Sequence, residues 1–225
     1  MPAPLTIPGE PTSGWIVLIG GGEFSFGETR EIDEFILSKM PRRNRRIAFL
    51  PTASQSPEYA LHLGTYLKGI EPGLEMENVP VYRPRDARRG KNIDRISSAG
   101  LIYIGGGVTN HVIETLHGSP ALDAIVQALS LGATLAAIGA GAASLGIATR
   151  DMERTGAHIA GLGLLPGSVI ETGYDPANDT MLRRLMSLPD AQLGIGIPPR
   201  TALAIAPDRS GEIIGNGQIA VVRKA

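Results

Sequence analysis

The sequence contains no cysteine. That excludes a disulfide scaffold, a thiolate zinc site, an iron–sulfur cluster and a cysteine nucleophile. An excess of charge of one sign is also lacking: 21 basic residues face 22 acidic ones, for a net charge of −1. No long-range field is left to recruit nucleic acid or an anionic membrane, and neither is expected as a partner. Two local basic stretches, "PRRNRR" (41–46) and "RPRDARRGK" (83–91), read as solvated loops, although the second has the composition to hold an anion. The four histidines, His62, His111, His117 and His158, have no metal-binding spacing. Neither H-E-x-x-H nor a paired-carboxylate motif is present, so no metal and no cofactor is expected. The opening "MPAPLTIPGEPTSG" has neither a basic start nor an apolar core and does not read as a signal peptide. It reads as an extended N-terminal arm over residues 1–13, with a cytoplasmic location expected.

Charged residues are absent between Ala124 and Thr149. A hydropathy window flags such a run as a membrane span. Gly132, Gly139, Gly141 and Gly146 break it instead into a helix end, a buried strand and a second helix start. What is present is material for a core, with 43% hydrophobic and 19% charged residues in 225. Strand candidates alternate with helical stretches: "WIVLIGGG" (15–22), "RIAFLPTAS" (46–54), "MENVPVY" (76–82), "GLIYIGGG" (100–107) and "TLAAIGAG" (134–141). Between them "ETREIDEFILSKM", "PEYALHLGTYLKGI", "IDRISSA", "VTNHVIETLHGS" and "SPALDAIVQALSLG" have helical character. This order predicts an α/β fold with a mainly parallel, doubly wound sheet and helices on both faces. After Ile147 shorter strands follow, with a helix at "PANDTMLRRLMSL" and a hairpin turning at "PDRSG". The reading is one domain over residues 14–225, with a β-rich C-terminal extension.

Three strands end in glycines: Gly20–Gly22, Gly105–Gly107 and the Gly139-Ala140-Gly141 turn. In open α/β sheets, ligands bind beyond the carboxyl ends of the strands. Glycine there lets backbone amides approach a ligand. Three such ends predict a common site.

The residues resemble a known family. "IAFLPTAS" (47–54), "AGLIYIGGGVTNHVIETL" (99–116), "GLGLLPGSVIETGY" (161–174) and "LGIGIPPRTALAIAPDRSGEIIGNGQIAVV" (193–222) are similar, in order, to segments of the serine peptidases that include dipeptidase E and cyanophycinase. The resemblance implies a three-layer, flavodoxin-like sheet of the class I glutamine amidotransferase type. It also implies a serine nucleophile on a "G-T-S-A-G-A" elbow and a histidine base in a "D-x-H-F" segment. This chain departs at both. One register puts Gly139 at the nucleophile and another puts Gly141 there. "ETGY" puts Gly173 at the base, between Glu171 and Tyr174. The family's glutamine falls on Thr109, and Asp151 and Glu153 are in range of its third carboxylate. Removing a nucleophile or its base costs about a million-fold in a well-studied serine protease. The amides of Gly107 and Ala140 could still form an oxyanion hole, worth on the order of a thousand-fold. A hole without a nucleophile is an anion site.

The remaining candidates each have two readings. Ser144 is the nearest hydroxyl, but a helical serine more often bonds a backbone carbonyl. His111 follows the second glycine cluster and faces either the site or the surface. Glu23 follows the first and either contacts a ligand or complements a helix start. Glu171 and Tyr174 flank the base position as pocket-wall candidates, beside Gly106, Gly107, Thr109, Gly139 and Ala140. "GAGAAS" (139–144) also approximates a dinucleotide fingerprint. The expectation is a family member that has lost serine peptidase activity and keeps a pocket for a peptide, amino acid or other small anionic ligand. One alternative is an active hydrolase using Ser144, His111 or a water held by Glu171. The other is a nucleotide-binding protein. A homodimer is compatible with the fold type, and nothing in the sequence fixes the oligomeric state.

Overall fold

The computed structural model describes residues 5–224, so residues 1–4 of the expected arm lie outside the described residues. Apolar runs of four or five residues supply the central strands. Along the chain run β1 (Ile16–Ile19), α1 (Arg30–Lys39), β2 (Arg46–Leu50), α2 (Pro57–Ile70), β3 (Glu75–Asn78), α3 (Gly90–Ser97), β4 (Leu101–Ile104), α4 (Thr109–Leu116), α5 (Pro120–Ser130) and β5 (Thr134–Ile138). Then follow α6 (Ala140–Ala143), β6 (Ala148–Arg150), β7 (His158–Ala160), β8 (Ser168–Thr172), α7 (Thr180–Met186), β9 (Leu193–Ile197), β10 (Thr201–Ile205), β11 (Gly211–Gly215) and β12 (Ala220–Arg223).

β1, β4 and β5 are buried at every position. Their side chains alternate between two cores. Leu18, Ile102, Leu135 and Ala137 face one, and Val17, Ile19, Tyr103, Ala136 and Ile138 face the other. Burial on both faces is why these strands read as continuous apolar runs. α3, α4 and α5 close the first face with Ile96, Val112, Leu116 and Ile125, and α1 and α2 close the second with Ile32, Ile36, Leu63 and Leu67. The seven-stranded sheet has the order β11-β10-β1-β5-β4-β2-β3. The last five are parallel, and β10 and β11 run antiparallel at one edge. The expected three-layer α/β fold with a β-rich extension is present. No helix among the described residues is long and apolar enough to cross a membrane.

Two segments differ from the sequence reading. The third strand was expected to reach Tyr82 but ends at Asn78. Pro80 has no amide to continue the ladder, and Val79 and Val81 instead turn into the core. The β6–β7 ribbon was not resolved from sequence, because its three-residue strands are too short for a period to show. β12, β9 and β8 form a separate three-stranded sheet. The described part of the arm is docked. Thr6 bridges to Ser210, Ile7 is buried, and the Ile7 amide donates to the Arg209 carbonyl at 2.9 Å. The Arg209 guanidinium, itself buried, donates back to the carbonyls of Ile7 and Pro8.

One buried acid sets a pH dependence. Asp33 is in the first turn of α1 on its buried face, with Thr29 Oγ1 donating to its Oδ2 at 2.7 Å and no partner for its Oδ1 among the described residues. Burial pushes its pKa up from 3.8 to about 6, against the pull of the Thr29 hydrogen bond. The folded state therefore holds the proton more tightly than the unfolded chain. Its stabilising effect is complete below 3.8 and is lost as pH rises through about 6. Asp33→Asn should stabilise the protein at neutral pH by about 1–3 kcal/mol and flatten this part of the profile. Thermal denaturation of both proteins across the acid-to-neutral range checks it.

Candidate functional site

The site is built where β1, β4 and β5 end. β5 turns at Gly139 (φ 54°, ψ −119°) directly into α6. This is the sharp strand-to-helix turn that lifts one residue above an α/β sheet. The Gly139 amide donates to the Ile19 carbonyl at 2.9 Å, tying the apex to the neighbouring strand. The two glycines left open by the sequence differ in the room around them. A Cβ on Gly141 would lie 2.8 Å from the Ile104 carbonyl oxygen and 2.9 Å from that of Gly105, so this position holds β4 and α6 together and has no room for a side chain. At Gly139 the nearest atom to a Cβ would be the Gly106 Cα, 3.8 Å away. The apex is Gly139.

Gly173, which the resemblance puts at the base position, lies close by. The Gly173 amide donates to the Gly20 carbonyl at 2.8 Å, one residue beyond the carbonyl that holds Gly139. Nothing lies within 4 Å of a Cβ built on Gly173, whose φ is +62°. Both glycines thus leave open space at the end of β1.

Two cavities flank the apex. The larger, about 610 Å³, lies between the glycine ends of the strands, which contribute Gly21, Gly22, Gly106 and Gly139, and α2, which contributes Glu58, Tyr59 and His62. The smaller, about 240 Å³, includes Gly107, Thr109, Ala140, Thr149, Arg150, Glu171 and Gly173 in its wall. The three glycine ends converge as the spacing suggested. The amides of Gly107 and Ala140 have no hydrogen-bond acceptor among the described residues. The Arg150 guanidinium donates to the Glu171 carboxylate. Burial raises the Glu171 pKa, and Arg150 opposes the shift. The Thr109 hydroxyl donates to the Arg150 carbonyl at 2.7 Å and so fixes the base of that strand end.

Several sequence candidates are placed elsewhere or already committed. Ser144 is fully buried, and its hydroxyl donates to the Ala140 carbonyl at 2.6 Å. His111 Nδ1 is 3.2 Å from the Ala53 carbonyl, and the ring lines neither cavity. Glu23 lines the larger cavity, while its Oε1 accepts from the Ser25 amide and hydroxyl. Tyr174 is not in either wall. Its ring covers Gly196, where a Cβ would meet it at 2.6 Å, within the core of Leu182, Leu185 and Met186. Asp151 accepts from Asn110 Nδ2 and the Glu153 amide, both at 2.9 Å. The Asn110 bond is the main reason its pKa is lowered. Glu153 is exposed and lines neither cavity. α6 has four residues, too few to give "GAGAAS" the helix dipole that receives a pyrophosphate.

The sequence reading missed Glu58, Tyr59 and His62, which sit on α2 with no local motif. It also missed Thr149 and Arg150, which sit on the short β6. Among the described residues no group of three or more His, Asp or Glu side chains could hold a metal ion. The site's glycines differ in what they tolerate. Gly107 has φ +146°, and its Cβ would fall 2.4 Å from the Ala53 carbonyl. Gly107→Ala should cost at least about 3 kcal/mol through clash and strain. Gly173→Ala, which meets only the left-handed backbone penalty, should cost about 1–2 kcal/mol. Urea denaturation of the two variants checks the ranking.

Residues 16–213 match the family described as Peptidase family S51. No curated protein matches the sequence. The fold is similar to the crystal structure of a peptidase from an acI-B1 Actinobacterium, with a TM-score of 0.77 and 21% identity over 93% of this chain and 91% of that one. It is also similar to a protein from Listeria monocytogenes EGD-e that carries a Peptidase E designation, with a TM-score of 0.61 and 15% identity over 94% of this chain and 99% of the other. At these identities the two structures speak for the fold. The family match spans most of the sequence and runs through every strand that carries the glycine turns: the chain belongs to peptidase family S51.

Proposed function

We infer that this family member does not cleave peptides through a serine nucleophile, and that its elbow serves to bind a small ligand such as a peptide, an amino acid or another anion. The observation that carries the reading is the apex itself. Gly139 holds the turn with open space beside it and no side chain to react. Serine chemistry needs a hydroxyl and a base acting as a unit. The nearest serine along the chain, Ser144, spends its hydroxyl on the Ala140 carbonyl. Gly173 offers no base. What remains are two free amides and a cavity on each side of the turn.

The test is release of free amine from aspartyl and other dipeptides, and from an aspartate–arginine polymer, by the purified protein. No turnover above buffer is expected, and Ser144→Ala should behave as wild type. Saturable hydrolysis that survives purification would overturn the reading. Gly139→Ser should cost about 1–3 kcal/mol of stability, because a side chain is strained in that backbone conformation. It should gain no hydrolysis, since the base position stays empty; chemical denaturation and the same amine assay measure the two effects.

A further inference from the structure

We propose that a third cavity, beyond the carboxyl ends of β2 and β3, binds a phosphoryl dianion, free or carried on a small molecule. The cavity has a volume of about 440 Å³, and its wall includes Gln55, Tyr82, Arg83, Arg85, Asp86 and Arg89. None of these residues lines either cavity beside the elbow. β3 is the outer strand of the sheet and runs parallel to β2. The loops that follow the two strands therefore leave at the end where ligands of open α/β sheets bind, but at the sheet's edge. Most of the wall comes from the basic stretch 83–91, which holds five cationic residues and one acid. Composition alone leaves that stretch as a solvated loop.

In the fold its backbone is pinned from several sides. Asp86 is 6% exposed, and its Oδ2 accepts from the amides of Arg83 at 3.2 Å and Tyr82 at 3.4 Å. Ala87 beside it is fully buried. The buried Asn92 donates from Nδ2 to the Asp86 carbonyl at 3.0 Å, and the Thr52 hydroxyl donates to the Val81 carbonyl at 2.8 Å. Gln55 closes the wall from the loop after β2. Its Nε2 donates to the Tyr82 carbonyl at 3.4 Å, from a backbone held at φ 55°. A side chain in that left-handed region is held against a backbone penalty. Guanidiniums carried on a fixed backbone lose less freedom when they close on an anion.

The charges in the wall do not balance. Three arginines meet one carboxylate, which leaves two positive charges uncompensated. Asp86 does not saturate the arginines it touches. Its Oδ1 lies 3.3 Å from Arg89 Nη2 and 3.9 Å from Arg85 Nε, the second too long for a hydrogen bond. Arg83 has no acid within ion-pair distance among the described residues. Each guanidinium carries five N–H donors in a planar fork that fits phosphoryl oxygens two at a time. A phosphate monoester carries a charge of about −1.5 to −2 at neutral pH, which matches the excess. A carboxylate or a phosphodiester supplies one charge only. The volume of about 440 Å³ falls within the roughly 300–1,000 Å³ of small-molecule sites. It leaves room beside the phosphoryl group for an organic part.

Isothermal titration of the full chain at fixed ionic strength tests this, with inorganic phosphate, glycerol 3-phosphate, dimethyl phosphate, acetate and a single-stranded oligonucleotide as probes. Phosphate and glycerol 3-phosphate should bind saturably, and dimethyl phosphate and acetate at least about tenfold more weakly. Tighter binding of glycerol 3-phosphate than of inorganic phosphate identifies an ester as the occupant, and the reverse order identifies free phosphate. Arg83→Gln and Arg85→Gln should each lose about tenfold in phosphate affinity. Both side chains are exposed, so their melting temperatures should stay within about 2 °C of wild type. Arg88 is exposed and outside the wall. Arg88→Gln removes the same charge and should bind phosphate within about twofold of wild type. No saturable binding of either phosphate would overturn the proposal. So would dimethyl phosphate or acetate binding as tightly as the dianions, the oligonucleotide binding more tightly than either phosphate, or Arg88→Gln losing as much as Arg83→Gln. Hydrolysis in the amine-release assay would overturn the reading of the elbow and leave this site standing.

Discussion

Backbone-to-backbone contact at the ends of β4 and β5 is the constraint on which the rest of the site depends. Gly141 sits against the carbonyls of Ile104 and Gly105, and Gly107 sits against Ala53. No side chain fits at either place. The close approach brings the amides of Gly107 and Ala140 to one cavity wall, since each belongs to a turn that a Cβ would push apart. It also fixes how α6 leaves the sheet, and hence where Gly139 stands. The two cavities follow from the same arrangement, because the turns pass between them. The scaffold of a hydrolytic elbow is held by these contacts, independently of whether the apex carries a reactive group.

Composition sets the chemical limits of the site. The chain has no thiol, and its described histidines and carboxylates do not gather into a metal cluster. What the site offers is donors, one ion pair and shape. Without a hydroxyl and base acting as a unit, amides at such a turn retain only the residual part of serine-peptidase acceleration, on the order of a thousand-fold.

The fold was legible in sequence where a period or an uninterrupted apolar run existed. β1, β4 and β5 announce themselves because both faces are covered, and α2 begins at its proline as the start signal indicates. β6 and β7 carry no such signal. They are three residues long and pair with each other, with β6 also packed against β8. The site was legible where glycines mark it and not where it depends on packing. Tyr174 was placed in the wall because it flanks Gly173 in sequence. In the fold its ring is drawn over Gly196, an apolar surface that no local pattern reveals. Arg150 was invisible for the converse reason: its partners, Glu171 and Thr109, lie 21 and 41 residues away along the chain.

The clasp between Arg209 and the segment at Ile7 and Pro8 lies at the other end of the sheet. Ile205 pairs with Ile16, the first residue of β1, so the turn that carries Arg209 is on the side away from the elbow. The clasp joins residues separated by 202 positions in sequence. Contacts of that span close the longest loops and contribute least to the early steps of folding. The sheet can therefore assemble around β1, β4 and β5 before the chain's first segment docks. Once it has docked, release of that segment is a separate, local opening at the rim. Hydrogen exchange there can run fast while the paired amides of β1, β4 and β5 stay protected.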